Sequence, residues 1–283
     1  DPGGEYAINQ LSDLSSDALA GLTPEHIALV PASAVSSGFT PEFMEAVSGD
    51  VIGALTAEQV GNLGSMTLRE MDADMLGAIS PDSMSQLEGF GNISPDALSG
   101  LTAEQVSALP STAFQSIHPL QIENIDPSVM SAFTADNIDA LPSENFGSFT
   151  GDHIANLQAE TFASFQGDDV ANLSPDALSA FDASMLGAMH HDTMSGFTPE
   201  QVEYLSDDIL GELSAEQFGR FDSDVIAELT AEQVSALPSG IFAQDPGGEY
   251  AINQLSDLSS DALAGLTPEH IALVPASAVS SGF

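Results

Sequence analysis

An eight-residue repeat constrains the fold of this chain more than any other feature of its sequence. From residue 94 to residue 237 the sequence divides without a gap into eighteen octads, beginning with SPDALSGL at 94–101. Further octads run from 7 to 30 and from 40 to 87. Units of irregular length interrupt this pattern at three places: 31–39, 88–93 and 238–250. The backbone conformation must therefore recur about every eight residues along most of the chain.

Each position of the octad has a recognisable chemical character. Position 1 is mostly Ser, Thr, Asp or Pro, position 3 is acidic in 21 of 30 units, and positions 5 and 8 are almost always apolar. Ser or Thr at position 1 caps the free N–H groups of a first helical turn, and an acid at position 3 faces the positive end of the helix dipole. Of 16 prolines, nine lie at position 2 and five at position 1, where a helix start tolerates them. Each octad therefore predicts the start of a new helix.

These short helices predict an all-α fold. One continuous helix is excluded, because eight residues advance about 800° and the apolar pairs would wander around the axis. A β-solenoid is disfavoured, since positions 5 and 8 would face opposite sides of a strand. A helix of one and a half turns is not stable alone and must bury its apolar pair against other octads. The sequence thus predicts an α-solenoid or superhelix of very short helices, one per octad, with the number of octads per coil left open.

A much longer repeat is superimposed on the octads. Residues 1–39 recur letter for letter at 245–283, which gives a period of 244 residues. We therefore interpret residues 1–244 as one tandem unit of about 30 octads and residues 245–283 as the start of the next unit, together forming one continuous solenoid. The chain begins with Asp1, and we expect it to be cut from a longer periodic protein. The irregular units predict kinks or joints, and Asp-Pro-Gly-Gly at 245–248 predicts a turn.

Composition excludes several classes of function. The 43 acidic residues and two Lys or Arg give a formal net charge of −41, which argues against binding to nucleic acid or to an anionic membrane. The absence of cysteine excludes disulfides and thiolate metal sites, and no apolar run is long enough to span a membrane. With 43% hydrophobic residues the chain is too apolar for an intrinsically disordered protein.

The sequence contains no catalytic or cofactor-binding motif, so it predicts a non-enzymatic protein with no catalytic, cofactor-binding or metal-ligating residue. His190, His191 and Asp192 form the one run that suggests a metal site. They occupy positions 1 to 3 of an octad, with no third ligand at a recognisable spacing, and are interpreted as a surface cap. His118 also takes a capping position, whereas His26 and His153 lie at position 4, which is expected to face solvent.

Calcium binding remains an alternative, because hard cations prefer carboxylate oxygens. Asp72-Ala73-Asp74 starts like an EF-hand loop, but Leu76 stands where the next ligand is needed. A diffuse atmosphere of counter-cations is expected around so acidic a surface. Discrete sites, if present, are expected where acidic caps stack, and the candidates are Asp168 with Asp169 and Asp207 with Asp208.

The octads TPEQVEYL at 198–205, SPDALSAF at 174–181 and TAEQVSAL at 102–109 resemble two known kinds of repeat. One is the short helical repeat of the mesothelin, stereocilin and otoancorin family, whose chains are similar to armadillo-type superhelices on cell surfaces. The other is the T-x-x-Q octad array of large secreted bacterial surface proteins, which the lack of cysteine and the acidic composition favour. The resemblance implies an extracellular, non-enzymatic solenoid and identifies no site residue.

Two functions from different classes fit these observations. The first is a structural extracellular filament or matrix protein that assembles with itself along tandem 244-residue units and through lateral bundling. The near-uniform decoration of the octads favours this hypothesis. The second is a solenoid adhesin or stalk that binds a partner, with possible dependence on divalent cations.

Overall fold

The computed structural model describes residues 14–243 and 255–274. They fall into two units, divided between Ser148 and Phe149, which are considered separately below. Within the described ranges all regular structure is helical and no strand occurs, which confirms the predicted all-α fold. No helix in these ranges combines the length and the apolar character needed to cross a membrane.

Seventeen short helices make up the described part of the first unit. Twelve are α-helical and five are 3₁₀ helices. The α-helices are Ser16–Leu19, Pro24–Ala28, Ala32–Gly38, Pro41–Ala46, Gly49–Gly53, Ala57–Val60, Ser65–Arg69, Ala73–Ala78, Pro81–Met84, Ala103–Ala108, Pro119–Glu123 and Ala135–Asp139. The 3₁₀ helices are Phe90–Asn92, Pro95–Gly100, Ser111–Ser116, Pro127–Ala132 and Ser143–Ser148.

The second unit repeats this organisation. Its described α-helices are Gly151–Asn156, Gly167–Asn172, Pro175–Ser179, Ala183–Ala188, Pro199–Val202, Asp207–Leu210, Ala215–Phe218, Ser223–Ala227, Ala231–Ala236 and Pro268–Leu273. Its described 3₁₀ helices are Ala159–Ser164, His191–Gly196 and Ala262–Gly265. Each of these helices is four to six residues long and lies within positions 2 to 7 of one octad.

The helix starts form through the predicted capping chemistry. In the octad 102–109, Thr102 Oγ1 accepts the backbone N–H of Gln105 at 3.2 Å, and Gln105 Oε1 accepts the backbone N–H of Thr102 at 2.9 Å. This reciprocal capping box satisfies two backbone groups that a helix start otherwise leaves unpaired. All nine position-2 prolines lie in the first turn of their helices. Capping boxes and prolines thus lie at the helix starts of the structure.

Three octads make one coil, the number that the sequence left open. In the first unit Gly49–Gly53 packs against Ala73–Ala78, which packs in turn against Pro95–Gly100. In the second unit Gly151–Asn156 packs against Pro175–Ser179 in the same way. Each helix therefore stacks on the helix three octads away, about 24 residues along the chain. This contact pattern between near neighbours is that of a solenoid.

The core contains three positions of each octad rather than two. Positions 5 and 8 are buried throughout residues 31–243, as predicted. Position 4 is buried as well, which corrects the expectation that it faces solvent. His153 is 1% exposed and Gln105 is also 1% exposed, whereas His26 is exposed. Position 4 is buried because it faces the preceding coil. The octad pattern predicts which side of each helix is apolar, but it does not predict where the preceding coil packs.

Polar side chains at position 4 bond the preceding coil. In the second unit Gln201 Nε2 donates to the backbone carbonyls of Val170 at 2.8 Å and Leu173 at 3.0 Å, and Gln233 Nε2 donates to that of Val202 at 2.9 Å. The acceptors occupy positions 5 and 8 of the octad four repeats earlier. Carbonyls at a helix C-terminus lack intrahelical partners, and burying them unpaired is costly. Position 4 thus caps its own helix and the end of another.

Close stacking of the coils requires small residues at some positions. A Cβ at Gly100, position 7 of its octad, would overlap the backbone of Ala73, which lies at position 2 three octads earlier. In the second unit a Cβ at Gly196 would likewise overlap Gly167. Helix ends and helix starts of adjacent coils therefore approach to backbone contact at these positions.

The irregular units preserve the pattern of contacts. Across the nine-residue unit 31–39, Gln59 Nε2 still donates to the carbonyls of Ile27 at 2.9 Å and Val30 at 2.7 Å. Within the six-residue unit 88–93, Phe90 and Ile93 take the buried places of positions 5 and 8, and Gly89 adopts a left-handed φ of 72°. The turn predicted at 245–248 lies outside the described residues.

Candidate functional site

Two adjacent histidines begin the octad 190–197 in the second unit. His190 is the N-cap of the 3₁₀ helix His191–Gly196, and its Nδ1 accepts the backbone N–H of Asp192 at 3.4 Å. The two imidazole rings lie with their centroids 4.1 Å apart and their planes inclined at 34°. His190 therefore caps this helix, and the cap brings the two rings side by side.

Asp192 completes a cluster of three potential ligands. Asp192 Oδ2 lies 3.5 Å from His190 Nδ1, and Asp192 Oδ1 lies 3.5 Å from His191 Nε2. One donor atom from each of the three residues can be chosen so that all lie within 4.8 Å of one another. In residues 14–243 and 255–274 no other cluster of three histidine or carboxylate groups is as close. We call these three residues the His–His–Asp cluster.

The next coil adds two charged side chains to this cluster. Glu216, in the octad three repeats later, places Oε1 3.4 Å from His191 Nδ1. Arg220, one of only two arginines, places Nε 3.3 Å from Asp192 Oδ1. Both residues belong to the octad 214–221, which stacks on 190–197 in the three-octad coil. Residues that lie 25 and 28 positions apart in the sequence therefore contact each other in one site.

An open cleft of about 530 Å³ lies beside the cluster. Gly187 and Ala188 line one part of it, His190 and His191 another, and Glu212 with Glu216 a third. A Cβ at Gly187 would meet nothing within 4 Å, so the cleft is open at this point. His191 is 25% exposed and His190 is 61% exposed, so solvent ions reach both rings.

Sequence reasoning named His190, His191 and Asp192 but missed Glu216 and Arg220. The spacing rules for metal sites apply to ligands within one loop or helix. They do not include ligands that lie one solenoid coil apart in the sequence. Once the coil is known to span three octads, position 2 of one octad is expected beside position 3 of the octad three repeats later. This 24-residue period is the signal that identifies Glu216 as a neighbour of His191.

The predicted calcium candidates are not brought together as carboxylate clusters. Asp169 is 4% exposed, and its Oδ2 accepts the backbone N–H of Gln166 at 2.9 Å in a capping box. Asp72 Oδ1 accepts the backbone N–H of Met75 at 2.8 Å. Neither Asp168 with Asp169 nor Asp207 with Asp208 joins a third ligand group at the spacing of the His–His–Asp cluster. These acids serve the starts of their own helices.

Capping also perturbs the acidity of several carboxyl groups. The pKa of Glu25 lies below its usual 4.5 because the carboxylate accepts its own backbone N–H and the Thr23 hydroxyl, and Glu42 behaves likewise with Thr40. The pKa of Asp182 is lowered by hydrogen bonds from the Ser184 hydroxyl and the Met185 backbone N–H. Each of these bonds favours the ionised carboxylate. The pKa of Tyr204 is raised by a hydrogen bond to Glu203 and by the charge of that carboxylate.

No protein-family model and no curated protein sequence matches the chain.

Proposed function

We propose that this chain is part of a structural, extracellular filament or matrix protein in which tandem 244-residue units continue one solenoid. One observation carries the proposal: octads of the second copy pack on the end of the first period with the contacts seen between interior coils. The helix Ala262–Gly265 of the second copy stacks on Ala231–Ala236 of the first period. A flexible tether between independent domains would not need such a packed joint.

The joint has the same two kinds of contact that join interior coils. A Cβ at Gly265 would overlap the backbone of Ala231, in the manner of Gly196 and Gly167. His270 Nε2 lies 2.8 Å from the carbonyl oxygen of Leu237, at the place where Gln side chains bond other coils. The period thus ends in a surface that fits its own beginning.

The apolar core also extends into residues 238–243, the described part of the third irregular unit. Phe242 is fully buried and contacts Phe218 of an earlier coil, with ring centroids 5.7 Å apart. The other side of Phe242 contacts His270 of the second copy, also with centroids 5.7 Å apart. One phenylalanine therefore connects the core of the first period to that of the second.

The acidic surface supports the filament proposal in a different way. The position-3 acids face solvent, as Glu104 and Asp176 do, so each octad adds charge on the outside while its apolar pair is buried. Such a surface favours solubility and keeps parallel fibres apart, and salt screens its self-repulsion. The resemblance to secreted octad arrays supports an extracellular location.

Chains of one, two and three complete periods test the proposal. If the joint is a packed coil, small-angle X-ray scattering will show a constant cross-section and a maximum dimension that grows by an equal increment per period. The matched control replaces residues 238–250 with thirteen Gly and Ser residues, and its increments should shrink because flexible linkers let the periods fold back. Equal scattering from native and control chains would contradict the packed joint.

Electron microscopy of native material separates the filament from the adhesin alternative. Uniform fibres of constant width support the structural role. Isolated stalks that carry a distinct tip would instead favour a binding protein.

A further inference from the structure

We propose that the His–His–Asp cluster binds a divalent transition-metal ion of the zinc, copper or nickel class. This inference is independent of the filament proposal, because it depends only on the stacking of the octads 190–197 and 214–221. Imidazole nitrogen is a preferred ligand for these ions, whereas calcium and magnesium prefer sites made of oxygen atoms alone. A pair of imidazoles beside a carboxylate therefore selects the ion class.

The distances suit an ion of this size. Donors bound to Zn²⁺ at about 2.0–2.2 Å in a tetrahedral arrangement lie roughly 3.3–3.6 Å from one another. His191 Nε2 lies 3.5 Å from Asp192 Oδ1, and His190 Nδ1 lies 3.5 Å from Asp192 Oδ2. One donor atom from each of the three residues lies within 4.8 Å of the other two, so only side-chain rotation is needed to bring them around one ion. The open cleft leaves room for water as a further ligand.

Glu216 supplies the feature that distinguishes this cluster from an incidental group of polar residues. His191 directs Nε2 toward Asp192 and directs Nδ1 toward Glu216 Oε1, at 3.4 Å. A metal-bound imidazole characteristically donates its other N–H to a carboxylate, which fixes the tautomer and makes the coordinating nitrogen more basic. Glu216 lies where it can hold the proton on Nδ1 and leave the Nε2 lone pair free. Glu216 is thus a positioning residue for the metal ligand His191.

The local charge also favours a dication. The carboxylates of Asp192 and Glu216 lie beside the two rings and Glu212 lines the same cleft, against the single guanidinium of Arg220. Arg220 Nε lies 3.3 Å from Asp192 Oδ1 and orients this carboxylate, while Oδ2 is the oxygen nearer His190. A bound dication would offset the excess negative charge. It would also link two coils, since its ligands lie on one octad and the supporting Glu216 lies on another.

Isothermal titration of the untagged full chain with ZnCl₂ at neutral pH tests the site directly. One ion should bind per chain. The double variant His190→Asn/His191→Asn removes both nitrogen ligands and should weaken this binding at least about 100-fold, while Glu216→Ala should weaken it about 10-fold through loss of the supporting carboxylate. The matched control is His118→Asn, an exposed capping histidine elsewhere in the chain, and it should bind as the native chain does.

Spectroscopy and exchange measurements complete the test. The electron paramagnetic resonance spectrum of bound Cu²⁺ should show coupling to two imidazole nitrogens, and the double variant should lose it. Zn²⁺ should slow amide exchange in residues 190–221, because an ion that binds only the folded state stabilises that state. Circular dichroism checks that the variants remain helical. Unchanged Zn²⁺ affinity in the folded double variant, or no saturable binding by the native chain, would overturn the proposal.

Discussion

The segments 14–30 and 258–274 have identical sequences, yet they bury opposite faces. In the first copy Ile27 is completely buried, whereas the matching Ile271 is 60% exposed. His26 is exposed, whereas the matching His270 is 1% exposed. Local sequence is the same in both copies, so the difference comes entirely from the coils that pack on each.

The comparison shows that an octad has two separate packing faces. Position 5 faces the following coil: the helix containing Ile27 packs on Gly49–Gly53. Position 4 faces the preceding coil: His270 lies 2.8 Å from the carbonyl oxygen of Leu237, 33 residues earlier. Interior octads bury both positions, as Gln105 and Val106 do.

The largest effect is expected from removing the buried isoleucine of the first copy. Ile27→Ala should lower the free energy of unfolding by about 2–4 kcal/mol, because it leaves a cavity between two coils. The same substitution at Ile271 should change it by less than about 0.5 kcal/mol, because that side chain is exposed. Guanidinium unfolding followed by circular dichroism measures both. Equal losses at the two positions would refute the assignment of position 5 to the following coil.

The next largest effect is expected at the glycine of position 7. Here the second copy is expected to be sensitive to substitution and the first copy tolerant. Gly265→Ala should cost about 1–3 kcal/mol, because the new methyl group overlaps the backbone of Ala231. Gly21→Ala meets only Ala18 O at 3.5 Å and Asp17 O at 3.7 Å, and should be neutral or stabilise by up to about 1 kcal/mol. Thermal unfolding of the two variants checks the contrast. A tolerated Gly265→Ala would show that the coils do not stack this closely.

The difference between local capping and packing between coils explains which features could be predicted from the sequence. Helix starts were predictable because capping is local: Thr102 and Gln105 lie within one turn of each other. The number of octads per coil was not predictable, because it depends on how the faces of different helices pack. The burial of His153 and the approach of Glu216 to His191 both follow from that number. A signal was nevertheless present, since position 4 carries no Glu, Lys or Arg in the regular octads and Asp only at Asp169.

A loss of stability smaller than that of Gly265→Ala is expected from substitution of the histidine at position 4. His270→Ala leaves the carbonyl of Leu237 without this partner and should cost about 1–2 kcal/mol, while His26→Ala removes only its bonds to Thr23 and should cost less. His270→Gln is the conservative control, because Gln233 Nε2 makes the equivalent bond to the carbonyl of Leu205, at 3.2 Å, in a neighbouring coil. Amide exchange in residues 255–274 measures the local stability. If the Gln variant loses as much as the Ala variant, the bond to Leu237 is not what stabilises the joint.

The smallest effect concerns hydrogen bonds between residues of one octad in the first copy. The Glu25 carboxylate accepts its own backbone N–H and the Thr23 hydroxyl, so its pKa lies below the usual 4.5 in the folded chain. A lowered folded-state pKa contributes stability at pH values above the unfolded-state pKa, and this contribution disappears as the pH falls through the folded-state value. Carbon-detected NMR titration should therefore find Glu25 half-protonated below pH 4.5, with its signal assigned by its loss in Glu25→Gln. Thr23→Val removes the hydroxyl donor and should raise this pKa, whereas Ile271→Ala in the other copy should leave it unchanged. If the pKa of Glu25 does not change in Thr23→Val, the Thr23 hydroxyl does not donate to this carboxylate. The assignment of this hydrogen bond to the helix start would then be wrong.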